Sequence, residues 1–143
     1  MKKIRIRDNE KPLVDLKEAY PGIIIGFQQL GLKSTKRQRR TLYARKTVAK
    51  MLKKSQKLLP QNYRFKILDA WRPMAEQEHY YRVKYREFKN KQPNWPETRL
   101  RRETNQYVFP VDTDVAPWHI TGGAIDLTIC YKNGRSLPMQ SSK

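Results

Sequence analysis

The sequence predicts a fold that mixes α-helices with β-strands, and three features of its 143 residues carry that prediction. Residues 41–59 repeat apolar side chains at helical spacing, and the pattern ends at a proline. Tyr63, Phe65 and Ile67 alternate with basic residues, as strand residues do. Residues 125–130 are a second strand-like run with β-branched residues. With 38% hydrophobic and 31% charged residues, the chain has the composition of a globular protein rather than a disordered one.

The length predicts a single domain over residues 1–143. Cys130 is the only cysteine, which excludes an internal disulfide framework and a cysteine-rich zinc site, so an intrachain metal site must use mainly histidine and carboxylates. No apolar run approaches the roughly 20 residues of a membrane span. The basic residues at positions 1–3 are not followed by the apolar segment of a secretory signal. We therefore expect a cytoplasmic protein.

The remaining elements follow from local pattern and from proline and glycine punctuation. They are a short strand or helix at 13–20, a buried strand at 23–27, a polar loop at 28–40, a helix from Met74 to about Lys91, a shorter helix at 95–106 and a hairpin-like turn at 132–135.

The net charge of +18 is unevenly placed along the chain. No acidic residue occurs between Glu18 and Asp69. The basic residues of that interval include Lys33, Lys36, Arg37, Arg39, Arg40, Arg45, Lys46, Lys50, Lys53, Lys54 and Lys57. Such a field attracts polyanions, including nucleic acid. The plainer interpretation is a solvated basic helix face, and on that interpretation we do not expect a nucleic-acid partner.

His119 and Asp126 flank a glycine pair in the segment where the chain concentrates its chemical groups. The residues beside Asp126 are apolar and point to the opposite strand face, so the carboxylate needs a partner or solvent. The run Thr121-Gly122-Gly123 can bend the backbone sharply and bring the imidazole beside the carboxylate. Together they would make half of a zinc site. The alternative is a surface histidine or a hydrogen-bonded His–Asp pair.

The same region carries a local acidic character in a basic protein. No Lys or Arg occurs between Glu103 and Lys132, whereas Asp112, Asp114 and Asp126 do. This charge distribution suits a cation better than a phosphate.

Arg72 is a second candidate functional residue, because it ends a predicted strand and precedes Pro73. A guanidinium there could hold a carboxylate or stabilise a developing oxyanion. It could equally pair with Asp69 or stack on Trp71, and the sequence leaves these alternatives open.

Two motifs together, LDAWRP at 68–73 and PWHITGGAIDLTI at 117–129, resemble those of the D-alanyl-D-alanine dipeptidases. Leu42-Tyr43 and the segment 137–139 resemble further family positions. The resemblance runs over nearly all of this chain and over about the first two thirds of a typical family member. It implies the α+β fold shared with D,D-carboxypeptidases and the hedgehog signalling domain, with a central, mainly antiparallel sheet and flanking helices.

The resemblance also implies a reaction. His119 and Asp126 match the first two zinc ligands, and Arg72 matches the arginine that stabilises charge on the scissile carbonyl. In this family zinc polarises the carbonyl and binds a water that a glutamate deprotonates. The substrate is a D,D-dipeptide, which is removed in vancomycin resistance or in cell-wall peptide recycling.

One family feature is not matched. The third zinc ligand and the catalytic glutamate of the family lie in a C-terminal Glu-x-x-His arrangement, and His79, in the second predicted helix, does not correspond to it. The resemblance therefore implies a domain incomplete at its C-terminus, with two ligands that hold zinc weakly. The alternatives are a non-enzymatic basic domain that binds a polyanion through the helix from Thr41, and a related D,D-carboxypeptidase.

Overall fold

The structure, a computed structural model, describes residues 11–26, 41–113 and 116–139. These residues form two compact units. The first, here the sheet unit, contains the described residues up to Trp71 and those from Gly122 onward. The second, here the helical unit, contains the described residues from Arg72 to Thr121. The single domain expected over 1–143 stays a prediction.

The sheet unit carries all the strands found in the described residues. Its elements in chain order are β1 (Leu13–Asp15), α1 (Leu16–Ala19), β2 (Ile24–Ile25), β3 (Tyr43–Arg45), α2 (Lys46–Gln56), β4 (Tyr63–Asp69) and β5 (Asp126–Tyr131). β1 and β3 form an antiparallel pair. β4 is the centre of a three-stranded sheet, parallel to β2 and antiparallel to β5. The class is therefore α+β, with small antiparallel and mixed sheets.

The helix expected from Thr41 to Leu59 is shorter than predicted, because its first residues form β3 instead. Leu42 and Ala44 are buried while Tyr43 between them is exposed, which is the alternation of a strand. β3 pairs with β1, and the backbone N–H of Leu16 donates to the carbonyl of Leu42 at 2.9 Å. Tertiary pairing with a strand some thirty residues earlier therefore overrides the local helical pattern.

The core of the sheet unit is built around an apolar cluster. β4 supplies Ile67, which is fully buried, and the short α1 supplies Leu16 in the same state. The cluster consists of Leu16, Ile23, Leu42, Ala44, Ala49, Leu52, Ile67 and Ala70. On β5, Leu127 is 40% exposed although it is in register with Ile67, because β5 is an edge strand of the three-stranded sheet and β4 is its centre. The apolar face predicted for β5 is thus only partly buried.

The helical unit contains α3 (Met74–Lys91), α4 (Glu97–Asn105) and a 3-10 helix (Trp118–Thr121). The bounds of α3 confirm the prediction, since Pro73 precedes its first residue and Gln92 caps its end. α4 lies within the predicted 95–106 helix. The predicted loop at 28–40 lies outside the described residues. No helix in the described ranges combines the length and the apolarity of a membrane span.

Candidate functional site

In the sheet unit, two aspartates face each other across neighbouring strands. Asp69 is the last residue of β4 and Asp126 the first of β5, and the two are in register just beyond an irregularity that follows Ile67. Asp69 is 4% exposed and Asp126 is half-buried. The backbone N–H of Ala70 donates to Asp69 Oδ1 at 2.9 Å. Like charges directly opposite in a ladder repel, so this pair favours a cation between the strand ends.

The glycine bend before β5 is confirmed at Gly122, whose φ is 73°. A Cβ on Gly122 would lie 2.5 Å from Leu13 Cδ2, so only glycine fits there without movement. The Gly122 carbonyl accepts from the backbone N–H of Arg45 at 3.0 Å, which ties the bend to β3. Gly123 is not among the positive-φ glycines. The position from which the chain enters β5 at Asp126 is therefore fixed by packing as well as by the turn.

In the helical unit, His119 lies in the 3-10 helix and is half-buried. Its carbonyl accepts a hydrogen bond from the backbone N–H of Arg72 at 3.2 Å. The Thr121 hydroxyl donates to the carbonyl of Trp118 at 2.6 Å, and Ile120 N–H donates to Pro117 at 3.1 Å. Two residues singled out from distant motifs, Arg72 and His119, are thus backbone neighbours.

The Arg72 side chain is only 6% exposed and is held by two residues of α3. Its Nη1 donates to Gln77 Oε1 at 2.9 Å, and its guanidinium carbon lies 4.9 Å from the centre of the Tyr80 ring. Gln77 Nε2 in turn donates to the Phe109 carbonyl at 2.8 Å. Sequence reasoning missed Gln77 and Tyr80. Their i, i+3 spacing on the helix directly after Arg72 was the available signal.

The candidate residues cluster in sequence around the two points where the chain passes from one unit to the other. Asp69 and Arg72 flank the passage after Trp71, and His119 and Asp126 flank the passage after Thr121. In the sheet unit, β3 forms a backbone hydrogen bond with the chain at each of these two points. The Tyr43 carbonyl accepts from the Trp71 N–H at 2.9 Å, and the Arg45 N–H donates to the Gly122 carbonyl.

Among the histidine, cysteine and acidic side chains in the part of the chain that the structure describes, Asp69 and Asp126 of the sheet unit and His119 of the helical unit each offer one atom of a kind that binds metals. His79 is not one of them. It is exposed on α3, three residues after Glu76, whose Oε1 accepts from the Tyr80 hydroxyl at 2.8 Å. Asp69 was not recognised as a ligand from sequence, because only strand register pairs it with Asp126.

The acidic loop expected before His119 contributes less than predicted. Asp112 forms an ion pair with Arg101 of α4, and this contact lowers the pKa of Asp112 and raises that of Arg101. Its charge is thus already compensated. Asp114 lies outside the described residues.

Comparison of the chain with protein-family models, with characterised proteins and with solved structures gives no match. The dipeptidase resemblance therefore stands on the two motifs and on the chemistry of their residues.

Proposed function

We propose that this chain is a zinc peptidase of the D-alanyl-D-alanine dipeptidase type, with the hedgehog/D,D-peptidase-like fold, acting on D,D-dipeptides in the cytoplasm. The observation that carries the proposal is the cross-strand carboxylate pair, Asp69 and Asp126, at the end of the glycine-bent segment that begins at His119. Both motifs behind the family resemblance thereby contribute groups of the kind the reaction requires.

The three candidate ligands fit zinc in their chemistry. Catalytic zinc takes three protein ligands, nitrogen or oxygen, and keeps one position open. Asp69, His119 and Asp126 would supply one imidazole and two carboxylates. Magnesium and calcium prefer all-oxygen sets, so the imidazole favours zinc. Asp69 would fill the place that the resemblance leaves without a ligand. Bound there, zinc would polarise the scissile carbonyl and lower the pKa of a bound water, whose proton would pass to solvent because the catalytic glutamate of the family is not matched in this sequence.

Arg72 would stabilise the negative charge that develops on the carbonyl oxygen during attack. Stabilisation of this kind requires a donor already held in place, because reorienting it during the reaction would cost free energy. The contacts of Arg72 with Gln77 and Tyr80 restrain the guanidinium in this way. A lysine would keep the charge but not the planar, multiply bonded geometry.

Zinc binding is the first test. We expect one zinc per chain in a competition titration against a chelator, with His119→Ala, Asp69→Asn or Asp126→Asn each weakening affinity by at least about 10-fold, since each removes a direct ligand. His79→Ala is the matched control, because it removes the only other histidine, an exposed one. An equal loss of zinc affinity in His79→Ala and His119→Ala would refute the assignment of His119 as a ligand. Retention of full affinity by Asp69→Asn would remove Asp69 from the site.

Hydrolysis is the second test. With zinc present, D-alanyl-D-alanine should be cleaved, slowly because the catalytic glutamate of the family is not matched in this sequence, and L-alanyl-L-alanine should not be cleaved. Arg72→Ala should lower kcat by about 100-fold or more, with Arg72→Lys only partly rescuing it. Unchanged turnover in Arg72→Ala would contradict its role. If the chain binds one zinc but does not cleave the dipeptide, the metal-site assignment stands and the peptidase proposal fails. Cleavage of longer peptides ending in D-alanyl-D-alanine would instead favour a D,D-carboxypeptidase.

A second candidate function is binding of a long polyanion by α2. The observation that favours it is the exposure of all five lysines of this helix and its cap, Lys46, Lys50, Lys53, Lys54 and Lys57. Titration with an oligonucleotide at several salt concentrations tests it, and only a steep fall of affinity with rising salt would support it.

A further inference from the structure

The sheet unit contains an open cavity of about 500 Å³, and none of its described lining residues is a candidate zinc ligand. It lies where the end of α2 meets the first residues of β4 and the turn after β5. Its lining includes Tyr20 and Leu59 together with polar and basic residues of these elements. The volume falls within the range of small-molecule sites, roughly 300–1,000 Å³.

The lining of this cavity is strongly basic. Lys53 comes from the last turn of α2, Lys57 is the C-cap of that helix, Arg64 lies on β4, and Lys132 lies in the turn that follows β5. No aspartate or glutamate is among the described residues that line it. Four cations converging without an acid raise the local positive potential and select for a multiply charged anion.

The floor of the cavity is held by side-chain hydrogen bonds. Gln56, 9% exposed, donates from Nε2 to the Tyr63 carbonyl at 3.1 Å and accepts at Oε1 from the Phe65 N–H at 2.9 Å. These two bonds fasten the end of α2 to β4. Arg64 uses Nη1 for the carbonyls of Gln61 and Tyr63, at 3.0 and 2.7 Å. Its guanidinium is thereby anchored through Nη1, and no described residue accepts a hydrogen bond from its other nitrogens, which can contact a ligand.

The helix dipole of α2 explains only part of this arrangement. Lysines in the last turn of a helix or at its C-cap interact favourably with its carbonyl end, which accounts for Lys53 in the last turn and Lys57 at the cap. Arg64 and Lys132 belong to other elements and gain nothing from the axis of α2. Their presence in the same cavity points to a ligand with more than one negative charge.

We propose that this cavity binds a small anion that carries two or more phosphate groups and an aromatic or apolar part, as a nucleoside di- or triphosphate does. The four cations take the phosphates, and Tyr20 and Leu59 provide the apolar wall. Guanidinium and ammonium groups together match phosphate oxygens in geometry and in charge. This site is independent of zinc and of peptide hydrolysis.

The test is calorimetric titration of the intact chain with ATP, tripolyphosphate and adenosine. The variant Lys53→Gln/Lys57→Gln should bind ATP at least about 10-fold more weakly, because each substitution removes a charged contact. The matched control is Lys46→Gln/Lys50→Gln, on the same helix with the same change in charge, at exposed positions that do not line the cavity. It should change affinity by no more than about 2-fold, since charges outside the cavity act only through screened long-range interactions.

The three probes distinguish the sources of affinity. Tighter binding of ATP than of either tripolyphosphate or adenosine supports both the phosphate contacts and the apolar wall. Equal binding of ATP and tripolyphosphate would refute the apolar part, and equal binding of ATP and adenosine would refute the phosphate contacts. An equal loss of ATP affinity in both double variants would overturn the proposal, because it would show that ATP binds a general basic surface rather than the cavity. The same conclusion follows if an oligonucleotide binds far more tightly than ATP and both double variants weaken it equally. Absence of binding by ATP and tripolyphosphate at millimolar concentration would also overturn it.

Discussion

The interiors of the two units differ in the share of polar residues that they bury. In the sheet unit the cluster around Leu16 and Ile67 consists of apolar side chains, and only Gln56 and Asp69 are polar among the described buried residues of that unit. In the helical unit three of the seven described buried residues are polar or charged, namely Arg72, Gln77 and Thr104, and the others are Leu100, Val108, Pro110 and Pro117. Apolar burial stabilises in proportion to area and has no direction, whereas a buried polar group stabilises only when it meets a partner in the right geometry.

The polar groups of the helical unit meet that requirement. Gln77 joins Arg72 to the Phe109 carbonyl, and the Thr104 hydroxyl donates to the Leu100 carbonyl at 2.7 Å. Among the described residues, no buried side-chain nitrogen or oxygen is without a partner. The sheet unit therefore contributes stability through the apolar area that it buries, whereas the helical unit fixes the orientation of one charged group, the Arg72 guanidinium.

The largest expected effect is in the apolar core. Ile67→Ala should lower the free energy of unfolding by about 2–5 kcal/mol, because it removes a fully buried side chain of the central strand and leaves a cavity. Denaturant unfolding measures this. Leu58→Ala, at a position 83% exposed, is the control and should stay within about 0.5 kcal/mol. Similar values for the two variants would contradict the assignment of the core.

The second effect is at the bend that leads to β5. Gly122→Ala should cost about 1–3 kcal/mol, because a side chain there is strained at φ 73° and meets Leu13. It should also weaken the proposed zinc binding, since the bend sets the approach of Asp126. Gly123→Ala is the matched control, at an exposed neighbour without positive φ. Chemical denaturation measures the loss of stability caused by the strain, and the zinc titration measures its effect on the site.

The third effect tests the polar interior. Gln77→Leu should cost about 1–2 kcal/mol, because it removes the hydrogen bonds to Arg72 and Phe109 while keeping an apolar volume. It should also lower kcat of the proposed peptidase more than it raises KM, since Arg72 loses its restraint. Gln106→Leu, exposed at the end of α4, serves as control. An unchanged kcat would show that Gln77 has no part in positioning Arg72.

The smallest effect is electrostatic. Lys91 and Lys84 hydrogen-bond Glu87 and lower its pKa from 4.5 to about 2. Because the folded-state pKa is depressed, this contribution is present above pH 4.5 and is lost as pH falls towards 2. All three side chains are accessible to solvent, so the loss should be below about 1 kcal/mol. Unfolding of Glu87→Gln should show a correspondingly weaker acid dependence, and 1 M salt should shrink the difference between the two proteins.

The reactive cysteine chemistry that a lone thiol suggests is not expected here. Cys130 is fully buried, and desolvation raises its pKa, so the thiolate is disfavoured. A thiol reagent should therefore label the native chain slowly and the unfolded chain quickly.

Local pattern determined several parts of this protein. The bounds of α3 follow from the prolines around it, and β4 follows from the alternation that begins at Tyr63. The bend at Gly122 follows from a residue type that alone tolerates positive φ. Arg72, His119 and Asp126 were also recognisable as chemical groups, because their motifs are short and contiguous.

The tertiary structure decided the rest. β3 replaced the start of a predicted helix because β1 pairs with it, and Asp69 became a candidate ligand because strand register sets it opposite Asp126. The burial of Gln77 against Arg72 likewise needed α3 to be placed. Periodicity along a chain reports which face of an element is apolar. It carries no information about which distant strand or side chain will lie beside it, because that choice depends on the packing of the whole unit.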